Sequence, residues 1–236
     1  MTKKMAIGAA CLALCTVGPV NAVAQGTKAA VPQTVDRDIL HAQVILDHLG
    51  FSPGVMDGRP GKSLVAALKG FQESRGLEQT GKMDPQTLWA LHTYRAWRPT
   101  RTLVLTADAL AGPYVDPLPK DPQEQAKLQA MAYRTPMEKF GEMFHTTPDA
   151  LLALNGAQAQ LAPGSSIVVP NALPTSRAYD PKLPEAWRKT LSDLNVDAVQ
   201  PQGVKVVVDK SDQVLRVLDK DGKLVAQFQA TMGSEH

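Results

Sequence analysis

Between Arg37 and Tyr94, three short runs of apolar residues at helical spacing alternate with glycine-bearing turns, and no other stretch of the 236-residue chain restricts its folding so tightly. Ile39, Ala42, Leu46 and Leu49 fall on one face of a first helix, and Gly50 follows as a residue that accepts the left-handed conformation at a helix end. A turn-rich run from Phe51 to Gly61 comes next, carrying Pro53, Gly54, Asp57 and Gly58. Ser63 is the expected cap of a second helix, with Leu64, Leu68 and Phe71 inside and Gly76 closing it. A third helix is expected from Asp84, with Pro85 at its first position, where a missing N–H costs little, and with Leu88, Leu91 and Tyr94 on its inner face. Helices this short do not persist alone. Each must bury its apolar face against the others, which specifies a three-helix module of residues 37–94.

The order of residues in this module is informative beyond its periodicity. Val44-Ile45-Leu46, Leu49-Gly50-Phe51, Pro53-Gly54, Asp57-Gly58, Gly61, Ala67-Leu68, Phe71-Gln72, Gly76-Leu77, Thr80-Gly81 and Thr87-Leu88 together resemble the peptidoglycan-binding type 1 domain of bacterial cell-wall enzymes. Leu64 stands where that family usually has threonine, and Ser63 is expected to take over the capping role. The polar groups of the glycine turns and nearby helix ends, Asp57, Arg59, Gln72 and Arg75, are the candidate substrate-binding residues, although Asp57 and Gln72 suit the holding of turns and helix ends equally well.

The chain begins with Lys3 and Lys4, an apolar run from Met5 to Val17, and the small residues Ala22 and Ala24, the pattern of a secretory signal peptide over residues 1–24 followed by a linker to residue 36. The run is shorter than the roughly 20 residues of a stable bilayer span, so no membrane anchor is expected after cleavage. Removing the leader takes two lysines and no acids from 25 basic and 23 acidic residues, and the remaining balance is neutral. A nucleic-acid partner thus has no electrostatic support. Cys11 and Cys15 both lie in the leader, and Leu14 occupies the place where lipid-modifying enzymes want a small residue before Cys15. An exported protein of the periplasm or cell envelope follows, without disulfides or a cysteine nucleophile after residue 24.

Residues 95–130 read as a spacer containing one strand-like run, Thr102 to Thr106. In the segment 131–171, Thr135-Pro136 and Glu138 combine as a capping box, Met137, Phe140 and Phe144 form an inner face, and Thr147-Pro148 starts a second helix with Leu151 and Leu154 inside. Asn155-Gly156 stops it, and Pro163-Gly164 leads into the strand Ser166 to Val169. This helix, helix, strand order resembles the later part of a LysM domain, a module for N-acetylglucosamine polymers. It departs in its opening, where Ala132 to Pro136 replaces the usual strand and Gly-Asp turn, so a glycan-binding role for Asn155, Gly156 and Gly164 is the weaker expectation. Residues 172–203 read as linker and docking helix, with Leu183, Trp187, Leu191 and Leu194 on one stripe and Trp187 assigned to the core.

The period changes after Gly203. Val204, Val206 and Val208 alternate with polar residues, Val214 to Leu218 forms a second strand, and Asp221-Gly222 signals a hairpin into Leu224 to Thr231. This text is similar to the opening of the L,D-transpeptidase catalytic domain. That resemblance implies acyl transfer by a cysteine thiolate, a histidine and backbone oxyanion donors, in a Ser-His-Gly-Cys-type motif that does not occur in these residues. No catalytic residue is therefore assigned. His41, His48, His92, His145 and His236 are scattered without metal-ligand spacing, the serines lack a Gly-x-Ser-x-Gly setting, and Glu73 and Glu78 read as solvated charges, so neither a metal nor a cofactor is called for.

The fold class expected is multidomain α+β: a three-helix peptidoglycan-binding module, a LysM-like ββ/αα segment, and over residues 204–236 the β-rich N-terminal piece of an L,D-transpeptidase sheet domain. The expected function is binding of peptidoglycan by the front part of an L,D-transpeptidase. The alternatives are a non-catalytic peptidoglycan-binding scaffold or a wall hydrolase that borrows the module. With only one short helix as cover, strands carrying Val207, Leu215 and Leu218 are expected to leave a poorly ordered, aggregation-prone C-terminus.

Overall fold

The computed structural model describes residues 34–128 and 132–233, so the expected leader with Cys11 and Cys15, and His236, lie outside the described residues. Helix α1 (Arg37–His48) is the central element. The Asp36 carboxylate caps it by accepting from the amides of Asp38 and Ile39, and Gly50 (φ 81°) turns the chain out of it. Instead of the one apolar face expected, α1 has two. Ala42, Ile45 and Leu46 enter one cluster with Phe51, Leu64, Leu68, Phe71 and Leu91, whereas Leu40 and Val44 enter another with Met56, Phe140, Phe144, Leu151 and Val169. The adjacent pairs Ile39-Leu40 and Val44-Ile45 are what a helix buried on two sides requires, because neighbours in sequence point about 100° apart.

Helix α2 (Lys62–Ser74) starts from Gly61, which supplies no side-chain cap, and Ser63 is already inside the helix; its expected capping role is corrected. Helix α3 (Pro85–His92) begins as expected at Asp84, whose carboxylate accepts from the Thr87 amide. Its inner face, however, is Thr87 and Leu91. Leu88 is 49% exposed and Trp89 is 80% exposed, because burial of Thr87 rotates the position that follows it outward.

Strand β1 (Thr100–Val104) overlaps the strand-like run expected in the spacer from Thr102 to Thr106, but starts and ends two residues earlier. After the single-turn helices α4 (Ala107–Leu110) and α5 (Pro122–Gln125) come α6 (Pro136–Met143), α7 (Pro148–Asn155) and β2 (Ser166–Pro170). β1 and β2 pair antiparallel from Thr100 opposite Pro170 to Val104 opposite Ser166, so the strand missing from the start of segment 131–171 is supplied from upstream. The Thr135 hydroxyl accepts from the Glu138 amide, while the Glu138 carboxylate reaches past the cap to the Arg134 amide and guanidinium. Asn155 donates to the carbonyls of Leu151 and Val168 and accepts from the Val168 amide, which locks α7 to β2. These contacts engage the Asn155 amide within the fold.

Helix α8 (Glu185–Asp193) has no buried residue, and Trp187 is 54% exposed, which corrects the core role expected of it. Strands β3 (Lys205–Asp209), β4 (Val214–Leu218) and β5 (Leu224–Gln229) form an antiparallel meander. Its cover comes from the first module and not from α8. The Gln227 amide donates to the Gly50 carbonyl and its carbonyl accepts from Ser52, each at 2.8 Å, while its side chain donates to the Ala66 carbonyl. Gly70 permits this approach, since a β-carbon there would lie 3.0 Å from the Gln227 side chain. Leu224 completes the cluster around Phe71, and Arg216 pairs with Glu73 of α2. One face of the sheet is thus covered, contrary to the expectation of an unsupported end, while Val206, Val208 and Phe228 remain exposed on the other. The described residues belong to a single unit.

Candidate groove and turns of the first module

Two buried glutamines hold the glycine turns of the first module by the same device. Gln43 of α1 accepts from the Gly58 amide at 2.8 Å and directs its own amide group at the carbonyls of Val55 and Arg59 and the Asp57 carboxylate. Gln72 of α2 accepts from the Gly81 amide at 2.8 Å, and its amide group faces Thr80, Thr87 and the Lys82 carbonyl. Both turn glycines have positive φ, 69° at Gly58 and 65° at Gly81, and a β-carbon on Gly58 would lie 2.7 Å from the Asp36 carbonyl oxygen. The second turn is tied further to α3: the Thr80 hydroxyl donates to Asp84 and, with the Thr87 amide, holds the Asp84 carboxyl below the usual carboxylate range.

Arg75, at the end of α2, is exposed and placed differently from these glutamines. Its guanidinium lies 5.2 Å from the centre of the Phe71 ring and 6.0 Å from that of Tyr94, and it donates to the Tyr94 hydroxyl at 2.9 Å. Tyr94 stacks on Trp97, and Trp97 on His48, so a continuous series of rings backs the arginine. Arg75, Leu77, Pro85, Trp89, Ala90 and Tyr94 line an open groove of about 690 Å³.

Of the four candidate residues, Asp57 and Arg59 share the turn held by Gln43, the Asp57 carboxylate accepting from the Arg59 amide at 3.0 Å. Gln72 and Arg75 share the end of α2, where Gln72 is fully buried with its polar atoms turned toward its own turn and Arg75 faces the groove. Gln43 was not foreseen as a polar core residue. Its signal was a lone amide amid the apolar positions of α1, seven residues before the helix-ending glycine. Among the described residues, no group of three His, Cys, Asp or Glu side chains is placed to hold a metal, and no helix is long and apolar enough to cross a membrane.

The histidines tie segments together. His41 meets the Trp97 carbonyl and His48 the Asn171 carbonyl, each through Nε2 at 2.8 Å. His145 lies between the Asp47 carboxylate at 3.0 Å from Nδ1 and the Leu194 carbonyl at 2.9 Å from Nε2. Neither partner can donate, so both contacts are hydrogen bonds only when the ring is imidazolium. Burial pulls its pKa down, but the Asp47 pair, the Leu194 carbonyl and the nearby Glu142 charge outweigh that and leave it raised. A raised folded-state pKa contributes stability that is present below the ordinary histidine value and lost as pH rises through the folded one. Urea unfolding of the wild type and of His145→Gln is therefore expected to differ most at acidic pH, with the gap narrowing toward pH 9; a gap independent of pH counts against a charged ring.

Comparison with known proteins finds a match at this module. The family model of the peptidoglycan binding domain matches residues 36–91. The carboxy-terminal processing protease CtpB of Bacillus subtilis (strain 168) is 39% identical over 57 residues, which cover 24% of this chain and 12% of the protease. A peptidoglycan-binding domain is therefore present in this chain, and the likeness to the protease extends no further than a stretch of that size.

Proposed function

We propose that this chain is a cell-wall-associated protein that binds peptidoglycan through the module of residues 36–91, as the matching family model supports. The observation that carries the reading is the groove at the ends of α2 and α3, where an exposed tryptophan and a braced arginine face solvent together. Arg75 is the direct contact among the four candidate residues. Asp57 and Gln72 act by holding the turns that border the module's surface, and Arg59 belongs to the first of those turns. The finer reading is an exported protein with the front part of an L,D-transpeptidase, in which the LysM-like strand–helix–helix–strand unit is a spacer or second wall contact. Strands β3 to β5 resemble the opening of the catalytic sheet, and their seating on α2 would hold such a domain at a fixed orientation to the wall-binding groove. The second reading is a non-catalytic scaffold, which the peptidoglycan-binding module supports equally well.

Cosedimentation with purified sacculi tests the binding role. The wild type is expected in the pellet, with Trp89→Ala reduced by about tenfold in affinity, the scale of one aromatic stacking contact of about 1–1.5 kcal/mol. A wild type that stays in the supernatant would refute the role. Deleting residues 37–94 is no substitute, because it also removes the cover of Leu224 and Ala226. The two finer readings are separated by the reading frame downstream of the His236 codon. An in-frame Ser-His-Gly-Cys motif supports the transpeptidase, and a stop codon supports the scaffold.

A further inference from the structure

We infer that the α2–α3 groove takes the carboxylate-bearing stem peptide of peptidoglycan and not its sugar backbone, an inference that rests on the wall-binding reading above. The lining chemistry carries it. Apart from the Tyr94 phenol, Arg75 is the one ionisable lining residue, and the rest is mainly apolar: Leu77, Pro85, Ala90 and the exposed face of Trp89. A pyranose presents hydroxyl groups around its whole rim and needs an array of acceptors and donors to replace its water. This groove has no carboxylate, a single side-chain amide at Gln86, one aliphatic hydroxyl at Thr93, and a Tyr94 hydroxyl already engaged by Arg75, too few groups to ring a pyranose. A short peptide of alanine methyls and free carboxylates matches an apolar channel with one cation at its side.

Arg75 is prepared for that role. Its guanidinium plane is fixed by the Phe71 and Tyr94 rings, and one of its five N–H groups is committed to the Tyr94 hydroxyl. Among the described residues no carboxylate forms an ion pair with it, in contrast to Arg134 and Arg216, which are neutralised by Glu138 and Glu73. The fork therefore offers paired donors to an incoming carboxylate without first giving up an internal partner, and little side-chain freedom remains to be lost on binding.

The test uses the products of amidase digestion of sacculi, which separates free stem tetrapeptide from peptide-free glycan strands. The whole chain is titrated with each and followed by NMR amide shifts. The tetrapeptide is expected to move signals at the end of α2 and along α3, the glycan strands to leave them in place, and Arg75→Gln to weaken the peptide by about tenfold or more, the scale of a charge-assisted hydrogen-bond pair. Esterifying the peptide carboxylates is expected to reproduce the Arg75→Gln loss on the wild type. Glycan strands that shift these residues while the peptide does not, or Arg75→Gln binding the peptide as tightly as wild type, would overturn the inference while leaving sacculus binding intact. Failure of the wild type to sediment with sacculi would remove the wall-binding reading itself and this inference with it.

Discussion

Replacing Phe71 by alanine is expected to destabilise the chain by about 3–5 kcal/mol, the usual range for removing a buried phenylalanine ring. Its side chain is wholly buried and meets Phe51 edge-on, with ring centres 6.0 Å apart. It also supports the Arg75 guanidinium on one side and shares a cluster with Leu224 of β5. The cavity would therefore open where the three helices, the groove and the C-terminal sheet meet. Because a domain's whole stability is about 5–15 kcal/mol, the loss is a large part of it. The informative readout is which parts fail together. Tryptophan fluorescence, with Trp89 and Trp97 near the module, and hydrogen exchange at the β5 amides are expected to give the same unfolding midpoint, lowered equally in Phe71→Ala. A β5 that keeps its protection after the module has melted would mean that the sheet stands by itself, and the seating on α2 would then contribute little.

That coupling was the least legible part of the fold. Local signals were read well: Asp84-Pro85, Thr135-Pro136 and Thr147-Pro148 each start a helix, Gly50 and Gly156 each follow one, and Asp221-Gly222 joins β4 to β5. Each of these is decided by backbone chemistry within a few residues. The pairing of β1 with β2 and the contact of Gln227 with Ala66 span long stretches of chain, and nothing in a local period encodes them. Burial failed in the same way. Trp187 and Leu88 sit at positions where a helix stripe should be inside, yet the faces that bury are set by which neighbour arrives, and α8 receives none that covers Trp187. At the candidate site, the residue types were legible and their roles were not. Arg75 and Gln72 are three apart on one helix end, and a sequence cannot say that one side chain is turned toward solvent and the other into a turn.

Gln72→Leu separates those two roles and is expected to cost about 2–4 kcal/mol. The substitution nearly preserves volume, so packing is a minor part of the loss. What changes is the pairing of the buried Gly81 amide, which loses its acceptor, and of the Lys82 carbonyl and Thr87 hydroxyl, which lose a donor. A buried polar group left without a partner costs about 1–3 kcal/mol, and the Thr80 hydroxyl, which still donates to Asp84, suffers least. Gln43→Leu should behave alike, because the Gly58 turn is held by the same set of bonds. Arg75→Gln is the opposite case: an exposed side chain whose loss is expected to change the unfolding free energy by no more than about 0.5 kcal/mol and to show itself in binding. Measuring denaturation and sacculus binding on Gln72→Leu and Arg75→Gln together therefore assigns each residue. If Gln72→Leu keeps its stability and loses binding, the glutamine touches the ligand directly and the turn rearranges to release it. If it loses stability while the folded fraction binds with unchanged affinity, the wall contact is left to Arg75 and the groove beside it.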